Sequence, residues 1–438
     1  MLIFKKLTKI TSHIIIVIIF IFFSTLEAKN FQKYNKANSI ADYFSGILLL
    51  NDNKYKESYN YLKKLDGLEK SHPSYSTKYI YSLVNSGNFN LAFNFSKKIE
   101  IKQISTFETD LIIGIYYFKN SKYVLAKKYF NKAKRRESIS VLNNYIINSL
   151  IIWSDLRNSN FEKAKINLNN LDARFENLKK IQNVFLNCYF NEIETSKLFT
   201  KLTIDQNTDF SRYNYFYARY LDNKGELNEA KKILDSAIKK YPRNLLLNQY
   251  KLNLNNKKNK EDFNCKKESN VVAELLYIAA NALSTQAYFQ SSNFYLNLSK
   301  YLNKNFYSFD TLLAENFYKM DELEKAKETY RKLSNNGIAF NWYSNKQIAR
   351  ILIQENKKME SLRLLDKTFN ELPLKGIYEI FDYAEFLKNN EQFGDSIKYY
   401  TEVLDKIDIT HPLFPETMDG RGVSYERNGE WGKAEKDL

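Results

Sequence analysis

One short pattern recurs along the whole chain: a polar turn, an apolar anchor and, three residues later, a companion that is most often small. The anchors are Tyr55, Phe89, Tyr123, Phe161, Leu227, Phe289, Leu323, Met359, Phe393 and Trp431. Their companions are Ser58, Ala92, Ala126, Ala164, Ala230, Ser292, Ala326, Leu362, Ser396 and Ala434. Successive anchors lie 34, 34, 38, 66, 62, 34, 36, 34 and 38 residues apart. The two long intervals are close to twice the basic step, so each is expected to hide a degenerate unit, around 178–210 and 244–270. That gives about twelve units, the last incomplete. A fixed period of this length marks a repeat array, and 438 residues exceed what one ordinary core organises.

The same physical logic runs through each unit. A first helix ends at a short turn such as "LVNSGNF" or "LDNKGEL", where Gly87 and Gly225 permit a left-handed cap. A second helix starts at the anchor, and its small residue lets the two helices approach while bulky neighbours fill the groove on either side. Five prolines and twelve glycines are few for this length, which starves hairpins and favours helices. Pro73, Pro242 and Pro412 fall where units meet and stop or start helices there.

The pattern resembles the tetratricopeptide repeat (TPR) family. The clearest unit, "YNYFYARYLDNKGELNEAKKILDSAIKKYPRN" (213–244), matches its recurring small and apolar positions at Ala218, Leu221, Gly225, Leu227, Ala230, Leu234, Ala237 and Pro242. The unit at 108–140 fits through Gly114, Tyr117, Tyr123, Ala126, Phe130 and Ala133, and the last through Gly422, Tyr425, Gly429, Trp431 and Ala434. The resemblance covers about residues 38–438 and implies an all-α, right-handed superhelical α-solenoid of helix-turn-helix units. It also implies a scaffold for protein–protein binding without a shared catalytic residue. The stretch after Asn255, "NKKNKEDFNCKKESN", dissolves into polar residues, so two arrays are expected, 30–256 and 270–438, joined by a linker or loop at 257–269.

The first thirty residues stand apart from the repeat. A basic start, the unbroken apolar run "IIIVIIFIFF" (14–23) and small Ala28 make a signal peptide over 1–28. The run is short of the roughly 20 residues a spanning helix needs. Its greasy flanks leave an uncleaved inner-membrane anchor as the second reading, and without a following cysteine a lipoprotein is not expected. Export to the periplasm follows, and the export signal ahead of many divergent units resembles TPR proteins of alphaproteobacteria.

The formal charge of +16 is scattered, with Lys usually one or two residues from Asp or Glu. A nucleic-acid binder concentrates such charge in a patch or stripe, so solvated faces are expected and no nucleic-acid partner. Cys188 and Cys265 lie 77 residues apart in different expected elements; two unpaired thiols are the more economical reading, though an exported protein can pair them. His72 and His411 each precede proline between units and read as turn positions. With no Cys-x-x-Cys, no nucleophile elbow and no phosphate-cradling loop, no metal, cofactor or catalytic residue is expected. The four glycines of "DGRGVSYERNGEWG" belong to the repeat register rather than to a nucleotide loop.

Function is then expected on the concave face lined by the first helix of each unit. Arg212, Tyr215, Arg219 and Asp222 share one helix face outside the packing positions, and Tyr378, Phe381, Asp382 and Glu385 form a second such face. Tyr and Arg are the types enriched at binding hot spots. The leading expectation is an exported scaffold binding proteins or peptides, in envelope assembly, with membrane contact only through the N-terminal segment if uncleaved. The alternative is the substrate-adaptor part of an enzyme whose catalytic domain lies beyond residue 438. In the last unit Leu438 arrives before the second helix finishes, so further repeats are expected beyond it.

Overall fold

A computed structural model describes residues 37–136, 139–255 and 262–438. The signal peptide or anchor expected at 1–28 lies outside the described residues. Within them every regular element is helical, and no helix is long and apolar enough to cross a membrane.

The helices come in consecutive pairs. These are α1 (37–51) with α2 (Tyr55–Leu62), α3 (Pro73–Asn85) with α4 (Phe89–Ile101), and α5 (Phe107–Lys119) with α6 (Tyr123–Lys134). Next come α7 (Val141–Asp155) with α8 (Phe161–Asn169), α9 (Glu176–Phe190) with α10 (Thr195–Thr203), and α11 (Tyr213–Asn223) with α12 (Leu227–Lys240). A lone helix, α13 (Leu245–Asn255), follows. The pairs resume with α14 (Glu268–Thr285) and α15 (Phe289–Leu302), α16 (Ser308–Lys319) and α17 (Leu323–Ser334), and α18 (Ile338–Gln354) and α19 (Lys358–Asn370). The last are α20 (Ile377–Asn389) with α21 (Phe393–Leu404) and α22 (Phe414–Arg427) with α23 (Trp431–Asp437). The described residues are all-α and built from about twelve TPR-like helix-turn-helix units, as the spacing predicts. The same residues form two compact units, one of those up to Asn120 and between Lys128 and Ile139, the other of those in Ser121–Lys127 and Ser140–Leu438.

Nine of the ten anchors are the first residue of a second helix. The exception is the pair expected at Met359 and Leu362. There α19 begins one residue earlier, and the buried small residue is Ser361, while Leu362 packs half-buried on the neighbouring core. The small positions of the two helices meet twelve residues apart, as in Ala218 with Ala230 or Ala384 with Ser396, all buried. At three units where the second is serine, its hydroxyl donates to the carbonyl twelve residues back, whereas Ser396 donates to Phe393 three residues back and meets the Ser424 hydroxyl at 2.8 Å. Ser58 reaches Gly46, Ser292 reaches Ala280 and Ser361 reaches Ala349, at 2.7–2.8 Å. The hydroxyl is thus satisfied in a buried contact that would otherwise orphan it.

The turns share one geometry. The residue two before the second helix is left-handed at nine of the ten anchored turns, with φ of +56° to +83°. Only Gly87, Gly225 and Gly429 use glycine there; Asn53, Ser121, Ala287, Asp321, Asn356 and Glu391 adopt the same conformation. The next N–H reaches the carbonyl five residues back, as Glu226 does to Leu221 and Gln392 to Leu387, both at 2.9 Å. This closes the first helix with a Schellman cap. At the remaining turn Ser159 is extended, and Asn160 instead caps α8 through Lys163 N–H.

The degenerate units explain themselves. The first is a complete pair, α9 and α10. In the second only α13 is helical among the described residues, and the chain from Asp262 runs irregularly into α14. This stretch falls in the expected polar linker, yet it is pinned. Phe263, Cys265 and Glu268 are buried, and Lys266 Nζ donates to the Tyr189 carbonyl. Glu268 accepts from the hydroxyls of Tyr123 and Tyr189 and from Arg157 Nε, at 2.9–3.1 Å. The two cysteines expected as free thiols form a disulfide, Cys188–Cys265, with Cα atoms 6.1 Å apart. The correction has a topological cause: the irregular segment returns alongside α9, so 77 residues of sequence separation collapse to one contact.

Candidate partner-binding groove

The two faces expected to bind partners occupy different environments. On α11, Tyr215 is fully buried and Arg219 is 3% exposed, so that expected surface is interior. Arg212, at the start of the helix, forms a bidentate pair with buried Glu274 of α14 at 2.7 and 2.9 Å and reaches Ser308 Oγ at 3.1 Å. Its guanidinium lies 4.1 Å from the Tyr277 ring centre. Arg219 pairs with Asp222 and with Asp262, both at 3.2 Å, and Tyr250 donates to Asp222 at 2.7 Å. Burial lifts the Glu274 and Asp262 carboxyls above the usual range, with Arg212 and Arg219 opposing that shift. The physical reason for the correction is the cover: α14 and the segment leading into it lie over the polar edge of α11.

The face on α20 divides. Phe381 is buried against Tyr400, and Glu385 accepts from Lys388 at 2.7 Å and from the Tyr400 hydroxyl, so both serve packing toward α21. Tyr378 and Asp382 line a groove of about 420 Å³. One wall is α13 with the preceding Arg243, contributing Leu245, Lys251 and Leu252. The other is the first half of α18, with Ile338, Trp342 and Lys346. Leu372, Pro373 and Leu374 form a lip before α20, and Leu374 is 81% exposed.

Charges close one end. Asp382 accepts from Arg243 at 2.7 Å and from Lys346 Nζ. The Arg243 guanidinium also lies over the rings of Tyr378 and Phe381, at 5.4 and 5.7 Å. Burial lifts the Glu379 carboxyl, and the backbone N–H groups at the start of α20 draw it part of the way back. The groove is therefore largely apolar, with Arg243, Lys346, Glu379 and Asp382 gathered where the residue before α13 meets α20. An apolar trough with a few convergent polar groups suits binding. No group of three or more His, Cys, Asp or Glu among the described residues is arranged to hold a metal ion.

Sequence spacing reached Tyr378 and Asp382 but missed Arg243, Trp342, Lys346 and Leu374. Arg243 and Asp382 are 139 residues apart, so no local pattern joins them. The one available signal was α13 itself, a leucine-rich helix in a unit whose second half dissolves into polar residues.

No protein-family model matches the chain, and no curated protein matches it. Among solved structures it is similar to the APC/C hetero-tetramer Cut9–Hcn1, at 12% identity over 91% of this chain and 85% of that one, with a TM-score of 0.29. It is also similar to yeast Tom70, at 16% identity over 93% and 91% with a TM-score of 0.29. A third is Naa15/Naa10 bound to HypK-THB, at 13% over 91% and 75% with a TM-score of 0.26. The helix pairs, their shared caps and their small-residue contacts make this chain a TPR-like helical repeat.

Proposed function

We propose that the chain is an exported scaffold that binds protein partners in envelope assembly, and that the groove between α13, α18 and α20 is where a partner docks. The observation carrying this reading is the groove: about 420 Å³ of largely apolar trough on first helices, with Leu374 exposed at its lip. Exposed apolar surface rimmed by polar residues marks interaction sites. Export is supported by the basic–apolar–small order of the N-terminus and by the disulfide, since such bonds persist in oxidising compartments. The periplasm is the compartment that fits both, with attachment to the inner membrane as the alternative if the N-terminal run is retained.

The test places a photo-crosslinking amino acid at Leu374 and, as a control, at the exposed Lys232 of α12, in the native cell. The expected result is a protein adduct from position 374 that is absent from 232. Equal adducts from both positions, or none from 374, would remove the groove as the docking site. Fractionation of the same cells assigns the compartment, and recovery in the cytoplasm would end the export reading.

A further inference from the structure

α13 departs from every other helix in the second compact unit. Among the described residues it lacks a second helix of its own unit, and it lies across helices far ahead in sequence. Gln249 Oε1 accepts the Ala339 N–H at 3.0 Å, and Arg243 pairs with Asp382. Gly337, at φ +144°, permits the approach: a Cβ there would sit 2.3 Å from the Gln249 side chain. α13 thus packs on the first helix α18, and Arg243 just before it reaches α20, on the surface where a repeat of this kind receives its partners.

We propose that α13 is a built-in ligand of the α18–α20 face, and that the partner it stands in for is a cationic amphipathic helix. Three observations carry this. The segment 242–255, "PRNLLLNQYKLNLN", holds Arg243 and Lys251 and no acidic residue, with Leu245 and Leu252 turned into the groove. The opposing wall is complementary, with Glu379 and Asp382 against the single cation Lys346 beside apolar Ile338 and Trp342. The polar contact is exchangeable, because the Arg243 side chain is 52% exposed while it holds Asp382. Asp382 is itself 16% exposed, so solvent screens the pair from the Arg243 side, which weakens it relative to a fully buried pair. Another helix offering a cation and spaced leucines replaces α13 without leaving Asp382 or the apolar wall uncovered. α13 then competes with partners for Asp382 and the α18 wall, and the apparent affinity of that face scales with the fraction of time α13 leaves it uncovered.

This inference rests on the groove being a docking site, and its test separates the two. The probe is a fluorescent synthetic peptide of residues 242–255, titrated against the full chain. Two variants loosen α13: Arg243→Ala with Gln249→Ala, and Gly337→Ala, whose new Cβ drives Gln249 away. Hydrogen exchange over 245–255 reports the loosening. The expected result is faster exchange in α13 and peptide binding about tenfold tighter than in the parent chain, abolished by Asp382→Lys. Loosened α13 with unchanged peptide affinity would overturn the proposal, as would tighter binding that Asp382→Lys leaves intact. If both variants leave exchange in α13 unchanged, α13 is a fixed wall and the proposal fails. Absence of a native adduct at Leu374 alongside tenfold tighter peptide binding would remove the docking reading but leave α13 as the ligand of its own groove.

Discussion

α11 and α20 are both first helices, both present Arg- or Asp-bearing polar residues at helical spacing, and both lead into a second helix through the same left-handed turn. Their polar edges nevertheless meet different surroundings. On α11 the edge is sealed: Arg212 is paired with Glu274, and Arg219 with Asp222 and Asp262, beneath α14 and the segment leading into it. On α20 the edge stays partly open, and Asp382 faces a groove with Arg243 half in solvent. The difference is supplied by what crosses each helix. A pinned irregular segment closes one; a lone helix that leaves about 420 Å³ beside it half-closes the other. The pattern on a helix sets which residues share an edge, and distant chain decides whether that edge becomes interior or site.

The comparison breaks most directly at Glu274. Replacing it with Ala strands the Arg212 guanidinium beneath its cover, and we expect a loss of about 3–5 kcal/mol in urea unfolding. The double variant Arg212→Met/Glu274→Leu should recover most of that, because an apolar pair needs no compensating charge. Reducing the Cys188–Cys265 disulfide should cost roughly 2–4 kcal/mol by freeing a long loop in the unfolded chain. Hydrogen exchange should then quicken in α11 before α20, since only α11 depends on that cover. Equal quickening in both would dissolve the contrast.

A carboxylate hub in the first compact unit tests the electrostatic side. Partial burial pushes Glu100 up, but hydrogen bonds from Lys132, Lys97 and Tyr129 outweigh it and hold the carboxyl down at about 2, against 4.5. A depressed folded pKa stabilises fully above 4.5 and loses that contribution as pH falls from 4.5 toward 2. Glu100→Gln should therefore be less stable at neutral pH and show a shallower loss across that window. Curves that stay parallel would refute it.

Smaller effects sharpen the picture. The α11 turn uses Gly225 at φ +83°, whereas the α20 turn forces Glu391 to +62°. Gly225→Ala should cost about 1 kcal/mol, and Glu391→Gly should gain up to about 0.5 kcal/mol. If both are neutral, turn strain plays no part in either unit. Likewise, Asp382→Ala should change stability by about 1 kcal/mol, since Arg243 is half in solvent and Lys346 partly so, and both keep some hydration when the carboxylate goes. A loss as large as that from Glu274→Ala would make the groove edge structural.

Much of the fold was legible because it is local. The anchors mark helix starts to within a residue, and the companion positions mark where helices touch, because a short turn leaves little freedom between them. Only the Met359 unit slipped, since its anchor position holds Lys358 and offers no apolar signal. The left-handed turn was visible at Gly87 and Gly225 but hidden at Ala287 and Asp321, where a non-glycine residue takes the same conformation. Of the eight residues chosen for binding, Tyr378 and Asp382 line the groove, while the α11 set is interior. That split was illegible because the covering residues, Asp262 and Glu274, follow a polar stretch with no periodicity. The disulfide was hidden for the same reason.

The Cys188–Cys265 bridge has a mechanical consequence. Pulled from its two ends, the chain cannot pay out the stapled segment however far its helices unravel. Fully extended, 77 residues span roughly 250 Å. While the bridge is oxidised that length is withheld, so a tether of this kind stays shorter under load and lengthens abruptly when a reductant cuts it.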